Sequence, residues 1–244
     1  MITRLNINGF SVDAEFPDEG IEKVIRPLMQ RIEALKTPDK KRAVVFLAAP
    51  PGAGKSTLGK FMETLSGGQL QCVSIDGFHY ANAELKEMTV ETEAGPVSAV
   101  KVKGAPETYD VTALKACLKA AKEEDSVLFP VYDRTLHEPV KDAFKVESPV
   151  LLLEGNWLLS TEGSWPELSS FADLTIFMDA EEEALKEGLV RRKMRGGLSL
   201  SDAKAWFETT DGPNIRRVKE KRRTADITIQ SFVRPAGQIR HNLP

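Results

Sequence analysis

The order of apolar runs along the chain predicts an α/β fold, a mainly parallel sheet covered on both faces by helices. Three observations carry that expectation. Short β-branched or Leu-rich runs near residues 44–47, 71–75, 127–129, 150–153, 174–178 and 227–229 alternate with segments of helical spacing, the pattern of successive β-α units. The first of these runs passes through a small turn, Pro50-Pro51-Gly52-Ala53-Gly54, directly into a helical segment that begins Lys55-Ser56-Thr57. Chemically versatile side chains also collect just past the run ends: Asp76, Tyr132 to Arg134, Glu154 and Asp179. In an open parallel sheet the ligand crevice lies outside the carboxyl ends of the strands, so residues distant in sequence converge on one cleft.

Composition bounds the answer. A chain of 244 residues forms one large domain and buries roughly 70–75% of its extended-chain surface. With 41% hydrophobic and 28% charged residues, it has the make-up of a soluble globular protein. The net charge of −3 offers no basic excess, which argues against nucleic acid as a partner. No run approaches the ~18 apolar residues of a membrane-spanning helix, and the start is too polar for a secretion signal. Cys72 and Cys117 lie in apolar surroundings without a C-x-x-C or a nearby His, as expected of reduced core thiols in a cytoplasmic protein. The partner expected is a small molecule, with a homodimer left open.

Each element can be justified in turn. Residues 5–16 alternate apolar and polar around Asn8-Gly9, a hairpin signal. Residues 19–36 carry Ile21, Val24, Ile25, Leu28, Ile32 and Leu35 at helical spacing, and Thr37-Pro38-Asp39 stops them. Segment 1–42 is therefore read as a hairpin and helix packed on a core domain of residues 43–244. A helix over 55–65 follows the first core strand. The string Leu65-Ser66-Gly67-Gly68-Gln69 equals the signature of transporter ATPases, but it falls where a glycine pair ends that helix and is read as a stop. The strand at 71–75 ends in Asp76-Gly77-Phe78-His79-Tyr80. Residues 81–109 are expected to be an irregular loop over the site. A helix at 111–122 and a strand at 127–129 come next, and Pro130 to Arg134 continue as loop. Beyond the strands at 150–153 and 174–178 lie a charged helix at 181–194, a helix capped by Ser201 and running to about 209, a basic helix at 213–224, and a last strand at 227–229.

The turn after the first core strand carries the chemistry. A strand, a glycine-bearing turn and Gly-Lys-Ser opening a helix together form a phosphate-binding P-loop. Backbone amides and the positive helix end bind phosphate oxygens. Lys55 reaches the β- and γ-phosphates and the Ser56 hydroxyl ligates Mg²⁺. Pro51, Gly52, Ala53, Gly54, Lys55, Ser56 and Thr57 are thus the expected ATP site. Ala49 stands where the pattern has glycine, which is tolerable if its φ stays negative. Asp76 ends the strand expected beside the P-loop and is placed to take a proton from an acceptor hydroxyl. Glu154 ends an apolar strand, where a carboxylate can hold Mg²⁺ through water. The run Arg191-Arg192-Lys193-Met194-Arg195-Gly196-Gly197 puts cations at a helix end beside a flexible joint and suggests a lid over 191–200, with Arg191 and Arg195 on phosphate. His79 and His137 lie in loops expected to face the cleft.

These stretches together resemble the family of phosphoribulokinase, uridine kinase and bacterial pantothenate kinase, over residues 43–230. A-P-P-G-A-G-K-S-T resembles its P-loop. S-I-D-G-F-H-Y is similar to the D-G-F-x-Y motif of pantothenate kinase and the D-S-F-Y motif of uridine kinase, which implies Asp76 as base with His79 and Tyr80 near the substrate. K-G-A-P-E-T-Y-D resembles a pantothenate kinase segment. P-V-Y-D-R-T-L-H is similar to a uridine kinase segment whose Tyr and His contact the nucleoside, which implies Tyr132 and His137. L-L-E-G-N resembles the acidic strand end and implies Glu154, and T-A-D-I-T-I resembles a segment near the adenine. The whole chain looks most like the bacterial group described as fructose transport system kinases. It departs from uridine kinases at Arg134, which stands where they have an aromatic residue. Arg134 and His137 hint at an acceptor bearing oxygens, including an anionic one. The expectation is an ATP- and Mg²⁺-dependent kinase of the three-layer α/β/α P-loop class, acting on a sugar, nucleoside or pantothenate-like hydroxyl. The rivals are a nucleotide switch, weakened because neither N-K-x-D nor D-x-x-G occurs, and a transport ATPase supported only by the misplaced signature.

Overall fold

A computed structural model describes all residues except Asn8, Glu93, Ala94, Val233 and 236–244. Its centre is a five-stranded parallel sheet built from β3 (Ala43–Ala48), β4 (Leu70–Ser74), β9 (Val150–Gly155), β10 (Leu174–Asp179) and β11 (Ile227–Gln230), in the order β11-β10-β3-β9-β4. β3 and β9 are buried at every residue, which is why they read as continuous apolar runs. Alternate side chains of β3 serve two separate cores. Val45 and Leu47 join Leu152 and Ile176 on one face, while Val44 and Phe46 join Leu151, Leu153 and Phe177 on the other. The three-layer α/β/α class expected from the sequence is the one found.

On the first face pack α1 (18–33, with a π-turn at Ile21–Ile25), α2 (Lys55–Leu65), α5 (Glu182–Arg195) and α6 (200–220, with a π-turn at Phe207–Asp211). On the second lies α4 (Val111–Glu123). Arg42 is 2% exposed. It donates to the carbonyls of Ala121 (2.6 Å), Asp125 (2.8 Å) and Ser148 (2.9 Å), tying the carboxyl end of α4 to the start of β3. A cation there also complements the helix dipole.

The hairpin of β1 (Ile2–Ile7) and β2 (Phe10–Glu15) is antiparallel, as expected. Asn8 of its expected turn lies outside the described residues, and Gly9 has φ +84°. Phe16 stacks on Phe61 of α2 at 3.9 Å. β12 (Arg234–Pro235) adds to the free side of β2, so a C-terminal segment and the N-terminal hairpin share one small sheet.

Four expectations need correction. Segment 81–109 is not irregular: it holds α3 (Asn82–Glu87) and an antiparallel pair, β5 (Thr89–Thr92) with β6 (Gly95–Ser98), around a small core of Leu85, Val90 and Ala99. The strand at 127–129 extends as β7 (Val127–Asp133), through the residues read as loop, and pairs antiparallel with β8 (Glu138–Val146) outside the main sheet. The cap of α6 is Ser199, whose Oγ accepts from the Asp202 amide at 3.1 Å, and not Ser201. Finally, β4 is not beside β3: β9 lies between them, so it is Glu154 and not Asp76 that ends a strand adjoining the P-loop strand.

Candidate active site

β3 ends at Ala48 and the chain turns through Gly52 (φ +84°) and Gly54 (φ +93°) into α2. A Cβ at Gly52 would lie 2.9 Å from Cγ of Leu189 on α5, so this glycine meets both a backbone and a packing demand. Ala49 is not among the described residues with positive φ, so the turn forms without glycine there. No side chain caps the amino end of α2, which leaves its first amides directed at the crevice, an anion-binding arrangement. The Ser231 Oγ donates to the Ala53 carbonyl at 2.7 Å, bracing the loop from the segment after β11.

Behind the loop, the Ser56 Oγ donates to Glu154 Oε1 at 2.7 Å, and Lys55 Nζ lies 4.0 Å from Glu154 Oε2. Glu154 is 2% exposed, and its Oε2 accepts no hydrogen bond. Burial pushes its carboxyl above the usual carboxylate range, while the Lys55 charge pulls the other way. A buried carboxylate with an unused oxygen, bonded to the P-loop hydroxyl, fits a hard cation. Among the described residues no three His, Cys, Asp or Glu side chains gather into a metal cage. The pair therefore suits Mg²⁺, which keeps water and phosphate oxygens as its other ligands.

Asp76 sits on the 3₁₀ turn Ile75–Phe78 after β4, held by its amide donating to Ser74 Oγ at 3.2 Å. A Cβ on the next residue, Gly77, would fall 2.2 Å from the Pro130 carbonyl oxygen. Glycine thus lets the turn press against β7 and sets Asp76 beside the β7–β8 ribbon. Arg134 Nη2 lies 3.3 Å from Asp76 Oδ2, and the Tyr109 hydroxyl approaches Oδ1 at 3.5 Å. His79 Nδ1 donates to the Asp76 carbonyl at 2.9 Å, and its ring packs 3.9 Å from Tyr109 and 5.4 Å from Tyr132. Burial lowers the His79 pKa, so the neutral imidazole is favoured. Tyr132 carries Lys103 Nζ 5.1 Å above its ring. A cavity of about 480 Å³ is lined by Ser56, Asp76, Tyr132 and Glu154 together with Arg4 to Ile7 of β1.

Two candidates stand apart. Tyr80 packs against the small core of the β5–β6 unit. At His137, which has φ +54°, it is the carbonyl that is engaged, accepting from Lys103 Nζ at 3.0 Å and Asn82 Nδ2 at 3.1 Å. In the expected lid, Arg191, Arg192 and Arg195 are all exposed at the end of α5. The Arg192 pKa is lowered by desolvation and by Arg134, while Asp211 of the α6 π-turn and Asp76 pull it up. The sequence reading missed Arg192, yet a signal exists: it follows Leu185 and Leu189 at i+7 and i+3, and both leucines are buried, so all three share one helix face.

The fold and the phosphate loop define a P-loop nucleotide-binding protein. The chain belongs to the phosphoribulokinase / uridine kinase family, whose sequence pattern matches residues 44–235. It is similar to the Escherichia coli K12 protein YggC, at 40% identity over 94% of this chain and 95% of that protein. A Schizosaccharomyces pombe protein provisionally named a uridine kinase is 28% identical over 82% of this chain and 87% of its own length. Among solved structures, a Silicibacter sp. TM1040 protein provisionally titled a fructose transport system kinase superposes with a TM-score of 0.76. The two are 29% identical, over 84% of this chain and 98% of that one. No described helix is long and apolar enough to cross a membrane.

Proposed function

We propose that the protein transfers the γ-phosphoryl group of ATP to a hydroxyl of a small molecule, a sugar, nucleoside or pantothenate-like acceptor. One observation carries the reading. The P-loop residues Lys55 and Ser56 meet the buried Glu154, and Ser56, Glu154 and Asp76 line one cavity. Phosphoryl transfer needs this pairing of a nucleotide cradle with an oriented acceptor.

Pro51 to Thr57 hold the triphosphate, with Lys55 placing a point charge on its outer phosphates. Ser56 and Glu154 would hold Mg²⁺, which neutralises the charge that builds on the phosphate oxygens. Asp76 accepts a hydrogen bond from the acceptor hydroxyl, aligns it in line with the γ-phosphate, and takes its proton. His79, kept neutral, donates to the Asp76 carbonyl and steadies the turn that aims the carboxylate. Tyr132 and Arg134 line the acceptor side, and the lid cations close over the nucleotide and exclude water.

The test uses ATP labelled at the γ-phosphate. With Mg²⁺ and a panel of sugars, nucleosides and pantothenate, label should appear in a phosphorylated acceptor. Label only in free phosphate, at a rate no acceptor changes, would overturn the reading in favour of a switch or ATPase.

A further inference from the structure

Resting on that kinase reading, we propose that the acceptor is an anionic hydroxy compound, its oxyanion held by Arg134 while its hydroxyl faces Asp76. The geometry fixes the spacing. Arg134 Nη2 lies 3.3 Å from Asp76 Oδ2. A hydroxyl hydrogen-bonded to Asp76 at about 2.7 Å therefore leaves the rest of a small acceptor roughly 6 Å or less from the guanidinium. A carboxylate or phosphate two or three atoms from the reacting hydroxyl spans that distance. The planar fork of an arginine matches either oxyanion.

The guanidinium is presented from a braced turn. Asp133 Oδ1 accepts from the amides of Thr135 (2.7 Å) and Leu136 (2.9 Å), and the His137 carbonyl is held by Lys103 and Asn82. This bracing fixes the backbone from which Arg134 extends, which removes part of the cost of ordering the turn on binding. A second guanidinium, Arg192, comes near enough for its charge to be felt by Arg134 and Asp76. Two guanidinium groups facing one carboxylate leave a net positive charge, which an anionic acceptor would neutralise.

The pairing also conflicts with the role of Asp76. A guanidinium bonded to Oδ2 takes one of the roughly four lone-pair sites of the carboxylate and lowers its basicity toward an acceptor hydroxyl. An anionic acceptor resolves the conflict by offering Arg134 its own oxyanion and freeing Asp76 for the hydroxyl. A neutral sugar or nucleoside has nothing of that kind to exchange.

The experiment compares full-length protein at saturating Mg-ATP against three sets of acceptors: small hydroxy acids, sugar monophosphates, and the neutral parents of each. The proposal expects an anionic member to exceed its neutral parent by about 100-fold in kcat/KM, the scale of one or two charge-assisted hydrogen bonds. Preference for hydroxy acids or for sugar monophosphates identifies the oxyanion as carboxylate or phosphate. Arg134→Gln should raise the KM for that acceptor roughly 10- to 100-fold and leave the KM for ATP unchanged. Arg134→Lys should recover part of the loss. Unchanged circular dichroism and melting temperature in both variants show that the fold persists. A neutral acceptor used best, with its KM indifferent to Arg134→Gln, would overturn the inference and leave the kinase reading standing. Label released only as free phosphate with every acceptor would overturn both.

Discussion

Lys55 Nζ lies 4.0 Å from the buried Glu154, and its place in the P-loop motif assigns its charge to the outer phosphates of a bound nucleotide. Lys55→Ala should abolish turnover and weaken ATP binding by at least about tenfold, read by calorimetric titration, because a charge-assisted contact to the outer phosphates is lost. Normal turnover would mean the loop holds no phosphate. His79 gives a pH prediction. Its native pKa is depressed by burial, so the native imidazole stays neutral while the unfolded chain begins to take up a proton near pH 6.5. Its contribution is present above that pH and is lost as pH falls through the lower native value. Urea unfolding at about pH 7.5 and 5.5 should show a larger loss for the wild type than for His79→Gln; equal losses would contradict a neutral native His79. At this scale the sequence was legible where chemistry is local. Lys55 and Ser56 open the helix after the first core strand, and Glu154 is the acidic residue near the end of an otherwise apolar one, so their positions need no long-range information. Arg192 was obscured because α5 begins with Glu182 and Glu183 and ends in four cations, so charge counting ranks its arginines alike. Only the helical phase set by Leu185 and Leu189 separates them.

Among the elements, α5 and α6 form a helical hairpin cross-braced from side to side. Lys186 bonds Glu208 at 2.8 Å, Arg216 pairs with Glu182 at 3.5 Å, and Lys193 sits 3.9 Å over the Trp206 ring. The joint between them contains Gly197 at φ +100°. Exposed pairs of this kind contribute little each, and the buried Leu185, Leu189, Ala203 and Phe207 anchor the helices to the core, so any closure falls to the exposed tip around Gly197. Residues 191–200 should gain hydrogen-exchange protection when Mg-ATP analogue and acceptor are both bound. Equal protection in free and bound protein would exclude closure there. Helices α2 and α4 were readable to within a residue, since strong apolar periodicity and clear stops bound them. The β7–β8 ribbon was not. Pro130 and the polar residues after it mimic a loop, but Pro130 falls at a register shift between Phe129 and Val131, where a missing amide is tolerated.

At the scale of the whole molecule, the main surprise is the strand order. An apolar run buried on both faces carries no mark of its neighbours, so 71–75 and 150–153 were equally good candidates to adjoin the P-loop strand. The structure seats β9 there and moves β4 one place outward, to the sheet edge. That order divides the two carboxylates: Glu154 lies against Ser56, and Asp76 lies further out beside Arg134. The chain ends reinforce the arrangement, since β12 pairs with the hairpin that walls the same cavity. The central claim is this division of labour, and a kinetic comparison of two isosteric variants tests it most directly. Asp76→Asn should bind Mg-ATP normally while kcat falls by at least about 10²-fold, the contribution of a positioned base. Glu154→Gln should instead raise the Mg²⁺ concentration needed for half-maximal rate. If Asp76→Asn keeps its kcat and only the KM for ATP rises, the division is wrong: Asp76 then belongs to the metal, and Glu154 becomes the first candidate for the base.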